Sequence, residues 1–226
     1  YKVSIMHVTL LAYTQMTYDK PHSLLAQQLA DYVATGERAF NDALVEYAGR
    51  ICYNTTNKLG HNPKFVYQRV HDDVHIGLLE HCSATFLVEN ISRSCLQQLV
   101  RHGLMSHSVV STRYVEQDES NTVEPASITA NPIAAAIYRQ VVKICFMAYG
   151  ILRDLNIPRE DCMFLLPECN VTTLLLSGNF SMYRNLLQQR LAPAAKWEIK
   201  SLAQIILREL HNIAPLCFGD LWEQYK

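Results

Sequence analysis

Residues 98–114, QLVRHGLMSHSVVSTRY, hold two arginines, Arg101 and Arg113, with Ser106, Ser108 and Ser111 between them. Gln98, His102 and Tyr114 stand in the same stretch. Two arginines separated by hydroxyls suit a phosphate monoester joined to a polar ring. The guanidinium fork matches phosphate oxygens bidentately, and serine hydroxyls and loop N–H groups add donors. The spacing also fits a helix end with solvated charges. A second stretch, 179–199, NFSMYRNLLQQRLAPAAKWEI, carries Asn179, Asn185, Gln189 and Arg190. On a helix, Asn185 and Gln189 share a face at i and i+4, while Asn179, Asn185 and Arg190 do not all share one. Carboxamides carry donor and acceptor together, which suits a uracil or flavin edge. Trp197 and Ile199 are expected in the core.

His71, His75 and His81, in HDDVHIGLLEH, repeat the spacing of a three-histidine zinc site. On a helix His71 and His75 would share a face, as a zinc pair must. The rest of the pattern fails. Asp72 stands where the general-base Glu belongs, and Leu78 stands where the turn-forming Gly belongs, Gly77 being one residue early. A strand is expected directly after His81. No metal site is therefore predicted.

The elements that must position these groups read as follows. Residues 2–13 form a strand. A helix runs from near Pro21 to before Gly36, and another over 38–51. Residues 54–64 are a loop, followed by a short helix over 64–79 and a strand over 82–90. Residues 92–102 return to helical spacing behind a Ser cap. Residues 103–111 match neither period, and 118–131 make a polar, mobile connection. The longest helical pattern covers 132–155, with Ile133, Ile137, Val141, Ile144, Ala148 and Ile151 on one face. A short helix follows Pro158, then a strand over 170–177. Helices follow over 180–190 and 194–213, separated at Pro193. The fold class is α+β, with helices packed around a small sheet in a single domain, residues 1–226.

Composition bounds the function. Of 226 residues, 49% are hydrophobic and 18% charged, which supports a packed core and excludes a disordered chain. Lys+Arg number 20 and Asp+Glu 21, so the net charge is −1 and no basic excess suggests a nucleic-acid partner. No apolar run reaches the roughly 18 residues of a membrane span. No signal peptide is read at the start, where Tyr1-Lys2-Val3 already resembles a strand. Seven cysteines at irregular spacing, with no CxxC, predict reduced and mostly buried thiols in a cytoplasm.

Arg101-His102-Gly103, seven residues, then Ser111 resembles the R-H-R-x7-S signature of the flavin-dependent thymidylate synthases. Gln98 stands three before that Arg, and Arg113-Tyr114 follow two beyond the Ser. His75 and Glu80-His81 are similar to the family's G-H-E-x-x-x-E-H segment. Leu166-Pro167, Asn179, Asn185, Arg190 and Lys196-Trp197-Glu198-Ile199 are similar to its L-P…N-x5-N-x4-R-x5-Q-W-E-I ending. The likeness keeps order and spacing from about 50 to 220.

The resemblance implies the thymidylate synthase-complementing-protein fold, with helices around an antiparallel sheet. It implies a homotetramer with active sites between subunits. It implies FAD as cofactor, methylenetetrahydrofolate as carbon donor, NADPH as reductant and dUMP as acceptor. By resemblance, Arg190 faces the uracil ring as the catalytic cation. Gln98, Arg101, Val109, Ser111, Thr112, Arg113 and Met163 surround the nucleotide with it. His75, Arg101, His102, Gly103, Asn179, Ser181 and Asn185 lie at the flavin. Ser111 is expected to bind, not attack, and no cysteine nucleophile is required.

The departures lie in the expected site. Gly103 replaces the second signature Arg, Ser108 and Val109 stand for Asn and Glu, and Met163 replaces a nucleotide-binding Arg. Three readings follow: a thymidylate synthase with rearranged contacts, a relative that methylates UMP, or a flavin-binding relative without thymidylate activity.

Overall fold

The computed structural model describes residues 2–3, 5–17, 23–72, 75–117 and 121–226. Along the chain come β1 (Lys2–Val3), β2 (His7–Tyr13), α1 (Leu24–Ala34), α2 (Phe40–Cys52) and α3 (Phe65–Tyr67). Then follow β3 (Ser83–Ser92), α4 (Arg93–Leu99), β4 (Ser106–Val109), β5 (Asn121–Thr122) and α5 (Ala126–Thr129). The remainder is α6 (Pro132–Asp154), α7 (Arg159–Cys162), β6 (Val171–Asn179), α8 (Phe180–Arg190), α9 (Trp197–Ile213) and α10 (Pro215–Tyr225). The fold is α+β, with a small antiparallel sheet in the order β2-β3-β6-β4. A separate pair, β1 and β5, runs parallel, with Lys2 opposite Asn121 and Val3 opposite Thr122.

Local chemistry sets the helix starts. Ser23, Ser92, Asn131 and Asn179 each precede a helix, and each side chain accepts an otherwise orphaned N–H of the first turn. Pro132 follows Asn131 at the first turn of α6, where a missing N–H costs nothing. Past the end of α1, Gly36 takes φ +70°, a left-handed conformation that glycine adopts without strain.

The chain divides into two compact units. Unit 1 comprises 1–9, 87–101 and 107–176; unit 2 comprises 10–86, 102–106 and 177–226. In unit 2, α2, α8, α9 and α10 enclose an aromatic and aliphatic core. Phe86 meets Tyr183 edge-on at 5.5 Å, and Phe180 meets Phe218 at 5.0 Å. Buried Asp42 caps α10 by accepting the N–H groups of Leu216 and Cys217 at 2.9 and 3.0 Å. Burial raises the Asp42 pKa, and those two hydrogen bonds oppose the rise.

Several expectations change. The strand over 2–13 is two strands in different sheets. The helix over 64–79 is a turn of α3, a π-helical Gln68–Asp72 and a 3-10 Ile76–His81. Residues 103–111 contain β4, and the connection over 118–131 contains β5 and α5. Pro21 and residues 118–120 lie outside the described residues. Trp197 is 52% exposed at the start of α9 instead of in the core, while Ile199 is buried. By length and composition, α6 is long and apolar enough to cross a membrane, which corrects the expectation that no stretch is. Its predicted apolar face is the outward one: Ile137 is 61% exposed, Ile144 48% and Ile151 52%.

Candidate active site

In unit 1 the site residues follow from how α4 ends. Gln98 turns back along its own helix, its Nε2 donating to the Ser94 carbonyl at 3.1 Å. Arg101 lies exposed just beyond α4. Val109 ends β4, half-buried. The chain then turns sharply. Ser111 Oγ accepts the Arg113 N–H at 3.3 Å, and the Ser111 carbonyl accepts the N–H groups of Tyr114 and Val115. Arg113 points outward and pairs with Glu160 at 2.6 Å, with more than half of each side chain exposed. Such a pair contributes little and is readily exchanged for a ligand anion. Thr112 donates to Met163 Sδ at 3.4 Å, and both line a cavity of about 300 Å3. Arg93, Gln97, Glu168 and Asn170 line it too. None of those four was expected from the sequence: Arg93 sits at the start of a helix, where a lone arginine carries no signal.

In unit 2 the signature histidine and the expected ring-facing arginine meet. Arg190 Nε donates to His102 Nε2 at 2.9 Å, across 88 residues of chain. His102 is buried. An Nε2 that accepts carries no proton, so the neutral ring holds its hydrogen on Nδ1. Gly103 is exposed, and a Cβ added there would meet nothing within 4 Å. Asn179 is not on the helix. It ends β6 and caps α8, its Oδ1 accepting the Met182 N–H at 2.9 Å. Asn185 and Gln189 do share a face, joined by a 2.9 Å hydrogen bond.

Ser181 and Asn185 line a second cavity, about 330 Å3, with His71, Arg184, Gln188 and Asp220. Arg184 holds Asp220 through a two-nitrogen fork at 2.8 and 2.6 Å and donates to the Cys217 carbonyl. His71 stacks on Tyr67, and its Nε2 lies 3.0 Å from Asp220 Oδ1 without hydrogen-bond alignment. Burial pushes the Asp220 pKa up, but Arg184, helped by the Leu221 N–H and by His71, brings the net shift downward. His75 lies exposed at the head of the 3-10 turn, so the structure brings His71, not His75, to this cavity.

The His71, His75 and His81 pattern loses its premise, because the segment is not one α-helix. Among the described residues no three His, Cys, Asp or Glu side chains gather into a metal-binding group. All seven cysteines are free, and Cys82, Cys95, Cys162 and Cys217 are buried. Burial, reinforced by Asp42, raises the Cys82 pKa to about 12, far from a reactive thiolate.

The family model described as thymidylate synthase complementing protein matches residues 35–216. The chain belongs to this family, the flavin-dependent thymidylate synthases. The flavin-dependent thymidylate synthase of Mycobacteroides abscessus is 34% identical over 198 residues, spanning 79% of this chain and 78% of the relative. That of Mycobacterium tuberculosis is 34% identical over 199 residues, with the same coverage. The crystal structure of thymidylate synthase X from Helicobacter pylori, solved with FAD and dUMP, superimposes with a TM-score of 0.67. It covers 95% of this chain and 99% of its own at 23% identity, a likeness of fold. Flavin-dependent thymidylate synthases are methyltransferases, and this chain is an enzyme of that family.

Proposed function

We propose that this protein methylates C5 of a uracil nucleotide, converting dUMP to dTMP, with FAD as cofactor. Methylenetetrahydrofolate is the carbon donor and NADPH the reductant. The observation that carries the reading is the hydrogen bond from Arg190 to His102. It fixes the Arg190 guanidinium beside the signature histidine. A fixed cation there stabilises the negative charge that develops on N3 and O4 of the pyrimidine as C5 becomes nucleophilic. His102, kept neutral at Nε2, orients that cation without competing with its charge.

The donor set of unit 2 fits a flavin. Ser181, Asn185 and Gln188 line one cavity, offering a hydroxyl and two carboxamides to the polar edge of an isoalloxazine. The space above Gly103 is open. His75, Arg101, His102, Gly103, Asn179, Ser181 and Asn185 are the positions assigned to the cofactor, and reduced FAD bound there supplies hydride. Gln98, Arg101, Val109, Ser111, Thr112, Arg113, Met163 and Arg190 are assigned to the nucleotide. Arg113 exchanges Glu160 for phosphate, and Ser111 positions the loop that carries it.

The whole of 1–226 is assigned to one functional domain, as a single family model running through both units supports. The exposed apolar face of α6 supports assembly into a homotetramer with sites between subunits, in the cytoplasm. Arg139 and Lys143 interrupt that helix, which favours a subunit contact over a lipid-facing one.

A second reading, methylation of UMP, is favoured by one feature: half-buried Val109 ends β4 where the family carries Glu, changing polarity beside the nucleotide. One assay separates the two. Holoenzyme receives NADPH, methylenetetrahydrofolate and equal dUMP and UMP, and mass spectrometry identifies the C5-methylated product. Methylated dUMP is expected. Methylated UMP alone replaces the first reading with the second, and no methylated product overturns both.

A further inference from the structure

A cavity of about 330 Å3 in unit 1 is lined by residues of α6 and of the segment that follows Arg113 and Tyr114. None of its lining residues is assigned to the cofactor or the nucleotide. Phe146, Met147 and Tyr149 give it an apolar wall; Phe146 and Tyr149 are buried, and Met147 is exposed at the rim. Its charged lining residues are Lys143 on α6 and Glu116 on the other segment. Among the described residues neither is paired with another charged side chain. Gln117 lines the cavity too, but its amide is engaged at both ends. Its Oε1 accepts Asn170 Nδ2 at 2.8 Å, and its Nε2 donates to the carbonyls of Val115 and Glu116.

Tyr149 carries the deciding observation. It is 3% exposed, and its hydroxyl is buried without a hydrogen-bond partner. A buried polar group left unmet costs free energy that a hydrogen bond to a ligand removes. A cation, an anion, an unmet hydroxyl and an apolar wall in one cavity match a zwitterion with an apolar side chain. The carboxylate suits Lys143 and the Tyr149 O–H, and the ammonium suits Glu116. The side chain suits Phe146 and the adaptable thioether of Met147. A plain carboxylic acid is repelled by Glu116, and a plain amine by Lys143.

We propose that this cavity binds a free α-amino acid with an apolar side chain. The site stands apart from the flavin and nucleotide residues and does not depend on the proposed function. Gly150 lines the cavity, and a Cβ added there meets nothing within 4 Å. Leucine at that position is a strong helix former that fills the space without a clash at its Cβ.

The test is calorimetric titration of the purified protein with L-phenylalanine, with 3-phenylpropanoate, which lacks the ammonium, and with phenethylamine, which lacks the carboxylate. Phenylalanine is expected to bind saturably and about 10-fold tighter than either analogue, the effect of one lost charged contact. Lys143→Gln is expected to weaken phenylalanine roughly 10-fold and Tyr149→Phe roughly 2- to 10-fold. Gly150→Leu is expected to abolish binding. The ligand-free melting temperature of Tyr149→Phe is expected not to fall, since the hydroxyl it removes has no partner to lose. A lower melting temperature means that the protein satisfies this hydroxyl itself, and overturns the proposal. So does an analogue that binds as tightly as phenylalanine, or binding untouched by Gly150→Leu. Absence of saturable binding overturns it as well; if Gly150→Leu then also lowers the mass in light scattering, a second copy of the chain is the occupant.

Discussion

At the residue scale, Arg190 and Gly103 invite opposite experiments. Arg190 is hydrogen-bonded to His102, and its charge is useful chiefly when the pyrimidine becomes electron-rich. Interactions realised in the transition state raise turnover more than they raise binding. Arg190→Ala is therefore expected to keep bound flavin, read from its visible absorbance, and to lower kcat by about 100-fold or more. Unchanged kcat would remove Arg190 from its catalytic role. Gly103 is the reverse case, a missing cation with room for one. Gly103→Arg is expected to leave the melting temperature within about 2 °C, as for exposed substitutions away from special features, and to tighten FAD binding. A marked loss of stability would mean that the open space at 103 is filled in the assembled enzyme. The signature residues were legible in the sequence because they are polar, closely spaced and of unusual types. Arg93 was not, since only the approach of Met163 and Glu168, 70 and 75 residues further along the chain, gives it a cavity to face.

At the element scale, α8 carries much of the candidate site and is fastened to α10 by Arg184 and Asp220. Both side chains are largely removed from water, at 8% and 19% exposure. Deleting one partner leaves the other charge buried, so Asp220→Ala is expected to cost about 3 kcal/mol in urea unfolding. The pH dependence has a definite sign. The Asp220 pKa is lower in the folded chain than its ordinary 3.8. Its contribution is fully present above 3.8 and is lost as pH falls through the lower folded value. The wild-type advantage over Asp220→Ala should accordingly shrink below about pH 4; a constant gap down to pH 2 would remove the ion pair as its source. The start of α4 was legible here, because Ser92 announces it by side-chain capping; the Asn131 cap of α6 emerges only in the structure. The strand β4 was not, since four residues are too few to establish a period.

At the scale of the whole molecule, α6 raises the question of assembly. One face packs Val142, Phe146 and Tyr149, while Ile137, Ile144 and Ile151 lie open. Exposed contiguous apolar surface marks an interaction site. A double change, Ile137→Glu with Ile144→Glu, is expected to reduce the mass measured by light scattering while the circular dichroism spectrum persists. An unchanged mass would place the subunit contact elsewhere. Periodicity alone identified α6 as a helix with an apolar stripe, because a 3.6-residue repeat over 23 residues has few other readings. It could not say which way the stripe faces, since amphipathic patterns look the same against a core and against a partner. The sequence by itself determined the α+β class, the long helix α6, the Ser cap of α4 and the family, all properties written in local order and spacing. Only the tertiary structure decided that Arg190 reaches His102, that His71 and not His75 joins Ser181 and Asn185, and that Trp197 is exposed. Those outcomes depend on contacts between residues far apart in the chain, whose geometry local sequence does not encode.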